Sequence, residues 1–286
     1  MINEFRDFLI SNGLIPKDIP IGRIARCPTT DKPRKKNGAF YFSGYSGWCK
    51  NFATGLSVGF KSEVKIDPEK LRRLEESESK RKADLDRKIK TNRIKAAEKA
   101  KQMLSESEYG YSDYMTRKGF KSAQVNIWED DGNSYILIPM YYNGDVVGLQ
   151  KIAPDGGKKY LYGQMTNNCY FRIGQGGLTL LCEGYLTGIT AHFLAKHLHI
   201  NCNVVVCFSA NNMLLMSKKF KDGFIIADND ESGTGQKVAE QSGLPFYLPE
   251  NVGDDLNDEY VTKGLFKTSQ RFRKFLINKT GDINHD

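Results

Sequence analysis

Beyond residue 110 the chain repeats one pattern. An apolar run of strand length meets a glycine or an acid, and a segment with helical spacing follows. LTLLCEG, NVVVCFS, GFIIADND and LPFYLP are the runs; EGYLTGITAHFLAKHL, ANNMLLMSKKF and GTGQKVAEQ are the helix-like segments between them. Apolar runs separated by helices predict a parallel α/β sheet covered on both faces. Just upstream, SYILIPMYYNGDVVGLQKI sets two β-rich runs around Asn143-Gly144, a strong hairpin signal. KKYLYG and NCYFRIG read as further short strands, and YSDYMTRKGF as a short helix.

The N-terminal part has a different rhythm. EFRDFLISNGL spaces Phe5, Phe8, Leu9 and Leu14 near one face of a helix. GAFYFSGYSGWCKNF is aromatic with glycine breaks, which predicts short twisted strands. Residues 67 to 105 are charged, glycine-free and rich in helix formers, with Pro68 suited to a first turn. Their apolar stripe is thin (Leu71, Leu74, Leu85, Ile89, Ile94, Ala97, Leu104), so a long, largely solvated connecting helix, broken once at most, is expected. The expected order is therefore a small α+β module over 1–62, a charged helix over 63–107, and a mixed α+β subdomain over 108–175. A Rossmann-like parallel sheet flanked by helices follows over 176–262, and a basic helix and tail over 263–286. In that tail LFKTSQRFRKFL is expected to pack Leu265, Phe266, Phe272 and Phe275 on the sheet.

Composition sharpens this picture in two places. The 286 residues carry a formal net charge of +8, which suggests a polyanionic partner, nucleic acid first. No apolar run reaches membrane-spanning length, and MINEFRDFLI lacks the order of a signal peptide. A cytoplasmic protein with no membrane partner is expected. The six cysteines form no CxxC pair and read as reduced, buried small hydrophobes. Cys27, Cys49 and a histidine match no standard zinc spacing, so zinc is not expected. In the N-terminal module, Arg34, Lys35 and Lys36 with Trp48 are candidates for nucleic-acid contact through phosphates and stacking. A small aromatic core with a solvated basic loop is the alternative.

The candidate chemistry lies where the apolar runs end. LTLLCEG ends on Glu183 and GFIIADND on Asp228 and Asp230, while GDDLNDEY brings Asp255 and Asp258 after LPFYLP. In parallel sheets ligands bind at the carboxyl ends of strands. Carboxylates gathered at one rim raise one another's pKa, and a divalent cation removes that conflict. All-oxygen ligands without clustered His or Cys select Mg²⁺ or Mn²⁺. No GxxxxGK[ST] phosphate loop is present.

Glu183-Gly184 after one strand and Asp228-x-Asp230 after a later one, with Gly233 following, resemble the toprim pattern of DnaG-type primases, topoisomerases and related nucleases. EGYLTG is similar to the EGYATA-like motif of plasmid- and phage-type primases, and GDDLND to their next acidic motif. YILIPMYYNGDVVGLQKI followed by KKYL resembles the primase segment that precedes toprim, and VVVCFSANNM the strand and loop between the acidic motifs. The likeness spans about residues 110 to 262. Leu186 and Gly188 stand where alanines are usual, and CPTTDKP keeps one cysteine of the zinc motif found in many relatives.

The resemblance implies a primase that joins ribonucleoside triphosphates on a single-stranded DNA template, with a replicative helicase as candidate partner. Glu183 would be the general acid/base and a metal ligand. Asp228 and Asp230 would hold one Mg²⁺ or Mn²⁺, with Asp255 and Asp258 as candidates for a second. Lys151, Lys158, Lys159 and Thr187 are candidates for phosphate or nucleotide binding. Two alternatives stay open: a metal-dependent nuclease using the same acids, and a non-catalytic module that binds single-stranded DNA.

Overall fold

A computed structural model of the chain describes residues 1–64 and 66–280, with side chains to residue 277. The chain divides into two compact units, residues 1–88 and 89–286.

In the first unit helix α1 (Ile2–Ser11) buries Phe5 and Leu9, one turn apart. They lie on an antiparallel sheet of β1 (Ile24–Cys27), β2 (Gly38–Phe42), β3 (Ser46–Asn51) and β4 (Ser57–Lys61), in that order. Alternation along the strands sorts the side chains. Phe40, Phe42, Cys49, Val58 and Phe60 join the α1 core, where Phe5 stacks on Phe42 with ring centroids 4.5 Å apart. Tyr41 and Trp48 are paired across β2 and β3 and take the other face. Lys50 lies over the Trp48 ring at 5.7 Å. Arg34, Lys35 and Lys36 are exposed on the β1–β2 connection. Both Cys27 and Cys49 are buried, and burial pushes the Cys49 thiol up to about 11.

Helix α2 (Pro68–Glu106) runs unbroken for 39 residues, and the boundary between the units falls inside it. Its buried residues are Ala96, Ala100 and Met103. Leu85, Ile89 and Ile94, which belong to the apolar stripe, are exposed. Small side chains, rather than that stripe, let the helix approach Leu137 and Leu149.

The second unit begins with an antiparallel meander: β5 (Glu108–Tyr111), β6 (Gln124–Asp130), β7 (Asn133–Tyr142), β8 (Asp145–Ile152) and β9 (Lys158–Tyr160), with α3 (Asp113–Arg117) between the first two. The β7–β8 turn has positive φ at both Asn143 (50°) and Gly144 (88°). That is the conformation which matches the right-handed strand twist.

The rest alternates as the apolar runs predict: β10 (Phe171–Gly174), β11 (Leu178–Cys182), α4 (Tyr185–His197), β12 (Cys202–Val206), α5 (Ala210–Ser217), β13 (Phe224–Ile226), α6 (Thr234–Ser242), β14 (Phe246–Tyr247) and α7 (Leu256–Thr280). The sheet order is β10-β12-β11-β13-β14. Strands β12, β11, β13 and β14 are parallel, and β10 is an antiparallel edge. Leu180, Cys182, Val204, Val206, Phe224 and Ile226 face one core with Leu194 of α4 and Phe272 of α7. Leu181, Val205 and Ile225 face the other with Met213 of α5 and Val238 of α6. The architecture is mixed α/β.

Helix α7 bends at Gly264 (φ 78°). Phe272 and Phe275 pack as expected, but Phe266 is 72% exposed, because helical spacing puts it on the face of exposed Gln270 and Arg273 rather than that of buried Thr268 and Phe272. Among the described residues no helix is long and apolar enough to cross a membrane.

Candidate active site

From β11 the chain moves to β12 on one side, then returns to place β13 on the other. The crevice between the carboxyl ends of β11 and β13 is thus a topological switch point, where open α/β sheets bind ligands. Cys182 is in register with Ile226. Glu183 therefore leaves its strand one residue past that pair, and Asp228 two residues past it on the neighbouring strand.

Glu183 is half-buried. Burial raises its pKa and Asp230 raises it further, against Lys158 and the backbone N–H of Ala210, which favour the anion. The N–H comes from the first residue of α5, so the carboxylate sits at the start of that helix. Asp228 is pushed up to about 7 by burial and by the charges of Asp255 and Glu183. Asp255 is likewise raised, first by burial. Thr187, in the first turn of α4, holds its hydroxyl 3.5 Å from Asp228 Oδ1 and 3.4 Å from Asp255 Oδ2. One hydroxyl proton serves only one carboxylate at a time. The two acids stay crowded.

The structure thus sets Asp228 against Asp255, where the DxD spacing suggests Asp228 with Asp230. Asp230 accepts hydrogen bonds from the Ser232 hydroxyl and from the N–H groups of Gly235 (3.2 Å) and Thr234 (3.4 Å). These donors, Ser232 foremost, hold its carboxyl below the usual range. It anchors the start of α6 and reaches the rim through its charge on Glu183. Asp258 is similarly engaged. Its N–H donates to Asp255 Oδ1 at 2.8 Å, and the Asp255 N–H donates back to Asp258 Oδ2 at 3.3 Å. That reciprocal pair is a capping box for α7. The other Asp258 oxygen meets Lys118 Nζ at 2.9 Å. Although burial opposes it, Lys118 and the Asp255 hydrogen bonds leave the Asp258 carboxyl below its ordinary value.

Strand alternation splits the three lysines. Lys158 pairs with Ile152, and Lys159 with Lys151. Lys158 rises beside the acids: a methyl on Gly184 would lie 3.5 Å from its Nζ. Lys151 takes the opposite face, 4.4 Å from the Tyr135 ring centroid, 4.8 Å from that of Trp128 and 3.7 Å from Asp130. It is not brought to the acids, and neither is its cross-strand neighbour Lys159. Thr187 is 1% exposed, so it lies beneath the carboxylates rather than where a phosphate arrives.

Several residues here carry no motif signal. Asn229 stitches two acidic loops together: its N–H donates to the Asp254 carbonyl (3.0 Å) and its side chain to the Pro249 carbonyl (3.0 Å). Lying between two aspartates, it is read as a spacer. Asn212 is buried with each polar group paired, donating to the carbonyls of Cys169 and Cys207 at 2.7 Å and accepting from the Asn168 N–H. Lys118 sits 140 residues from its partner Asp258, beyond any local pattern.

Among the described residues no group of three or more His, Cys, Asp or Glu side chains is arranged to hold a metal ion. Mg²⁺ does not demand such a cage, since one or two carboxylates and retained waters are its usual protein ligands. Asp228 and Asp255 offer that pair, with hard oxygen donors and unrelieved repulsion, so the donor set fits the ion.

No protein-family model and no curated protein matches the chain. Among solved structures, a chain from the bacteriophage T7 lagging-strand DNA polymerase complex with primase domains of two gp4 subunits, an RNA/DNA hybrid and dTTP is similar. The alignment covers 60% of this chain and 93% of that one, at 15% identity and a TM-score of 0.43. So distant a likeness carries no statement about this chain.

Proposed function

We propose that the protein is a DNA primase-like nucleotidyltransferase of the toprim type. It would join ribonucleotides on single-stranded DNA. The observation behind this reading is the meeting of Glu183, Asp228 and Asp255 at the switch point, opposite Lys158, in the order of the EGYLTG, ADND and GDDLND motifs. In the reaction a 3′-hydroxyl oxygen bonds to the α-phosphorus of an incoming ribonucleoside triphosphate, and the bond to pyrophosphate breaks. Glu183, whose pKa is raised by burial, takes the hydroxyl proton. Lys158 draws the triphosphate to the rim. Asp228 and Asp255 would hold Mg²⁺ or Mn²⁺, which when bound neutralises charge developing on phosphate oxygens. Asp230 sets the local field and the start of α6. Arg34, Lys35, Lys36 and Trp48 are proposed to contact the template strand.

Template-dependent incorporation of labelled ATP on varied single-stranded DNA tests the reading. Short oligoribonucleotides that vanish in Glu183→Gln support it. Strand degradation without incorporation would replace it with a nuclease that uses the same acids.

A further inference from the structure

Within the rim, Phe208 has a strained backbone. Its φ is 67°, a left-handed conformation that is an outlier for a bulky side chain. Such strain persists only where surrounding contacts fix it. The Phe208 N–H donates to the Glu183 carbonyl at 2.8 Å. Its own carbonyl accepts from the Tyr160 hydroxyl at 3.0 Å. Two residues on, the Ala210 N–H meets the Glu183 carboxylate. Phe208 is therefore gripped between the acid and a tyrosine from the other sheet.

Tyr160 is itself oriented. Buried Gln150 donates from Nε2 to the Tyr160 oxygen at 2.7 Å, so the phenol's proton is directed to Phe208. Gln150 and Tyr160 are cross-strand partners. The Gln150 Oε1 is buried with no hydrogen-bond partner among the described residues, so one part of this side chain is left unsatisfied while its amide group is spent on the tyrosine. Lys158 lies two residues before Tyr160, hence on the same face of β9.

We infer that Tyr160 is a positioning residue: with Gln150 behind it, it fixes the Phe208 turn and so the place of Glu183, tying the strand that presents Lys158 to the acid it serves. This rests on the reading of Glu183 as the group that takes the proton.

Two variants test it, Tyr160→Phe and Gln150→Leu. The first removes only the hydroxyl that bridges Gln150 and Phe208; the second replaces a half-satisfied buried amide with an apolar side chain of similar size. In both, kcat for primer synthesis falls about ten- to a hundredfold, as misplaced catalytic groups do, while KM for the nucleotide stays unchanged. Lys158→Ala gives the reverse, a raised KM. Amide hydrogen exchange supplies an answer that needs no activity. In Tyr160→Phe the Phe208 and Ala210 amides exchange faster, while those of Val204 and Val206 in β12 do not. Unchanged exchange at Phe208 and Ala210, or a KM effect without a kcat effect, overturns the inference. A wild-type chain that makes no primers refutes the functional reading alone, and the exchange result still decides the placement.

Discussion

A methyl group on Gly235 would stand 2.4 Å from the carbonyl oxygen of Asp228. The second glycine of GTG thus lets α6 begin directly behind the acid. No flexible side chain can give way there, because the obstacle is backbone. Gly235→Ala is expected to displace Asp228 while removing no carboxylate from the rim. Primer synthesis should fall at least about tenfold, and denaturant melts should show a loss of about 1–3 kcal/mol. Full activity with unchanged stability would contradict the packing.

Asp228 makes stability depend on pH in a definite sense. Its folded pKa is about 7, above the roughly 3.9 of an unfolded chain. Between these values the folded protein binds the extra proton, so stability falls as pH rises through about 4 to 7. Asp228→Asn removes that loss. Its melting temperature should exceed that of the parent protein at pH 8 and match it at pH 4. Added Mg²⁺ should raise melting of the parent at pH 8 and leave the variant unmoved.

Asp255 and Asp258 separate by role. Asp258→Ala breaks the capping box and frees Lys118, at about 1 kcal/mol of stability, yet leaves the Asp228–Asp255 pair intact. Asp255→Ala loses the cap and also the carboxylate proposed to hold the metal ion. Titration with Mn²⁺, followed by the resonance of the free ion, should find binding kept in the first and lost in the second. Equal loss in both would make Asp258 a ligand after all.

Adjacent lysines on β9 give the sharpest contrast. Lys158→Ala should raise KM for nucleotide several-fold, about tenfold if one charge-assisted phosphate contact is lost. Lys159→Ala, on the opposite face, should leave it unchanged at low salt. Equal effects would show that the strand's alternation does not govern access to the rim.

Much of this was legible in the chain. Each apolar run from LTLLC to LPFY became a strand, and Asn143-Gly144 closed its hairpin, because strand period and turn chemistry are local properties. Glu183 and Asp228 follow closely on the paired ends of β11 and β13. What escaped was non-local. Which aspartate faces Asp228 depends on hydrogen bonds that anchor Asp230 to the start of α6 and fold Asp258 into the cap of α7. Which lysine meets the acids depends on sheet facing, which spacing alone cannot reveal for three cations on two strands. The buried side of α2 rests on Ala96 and Ala100, whose small size matters more than their hydrophobicity.

The two sheets of the second unit also differ in how they must assemble. Strands β5 to β9 lie in their sheet in chain order, each beside its sequence neighbour, through turns as short as Asn143-Gly144. Joining β11 to β13 brings Leu180 to Phe224, so a long loop must close before that contact returns anything. The meander has the kinetic advantage, and the crevice between β11 and β13 exists only once the slower pairing is complete. During synthesis and refolding, acquisition of the acidic rim therefore marks the late step, and divalent-ion binding would report the finished fold rather than any precursor of it.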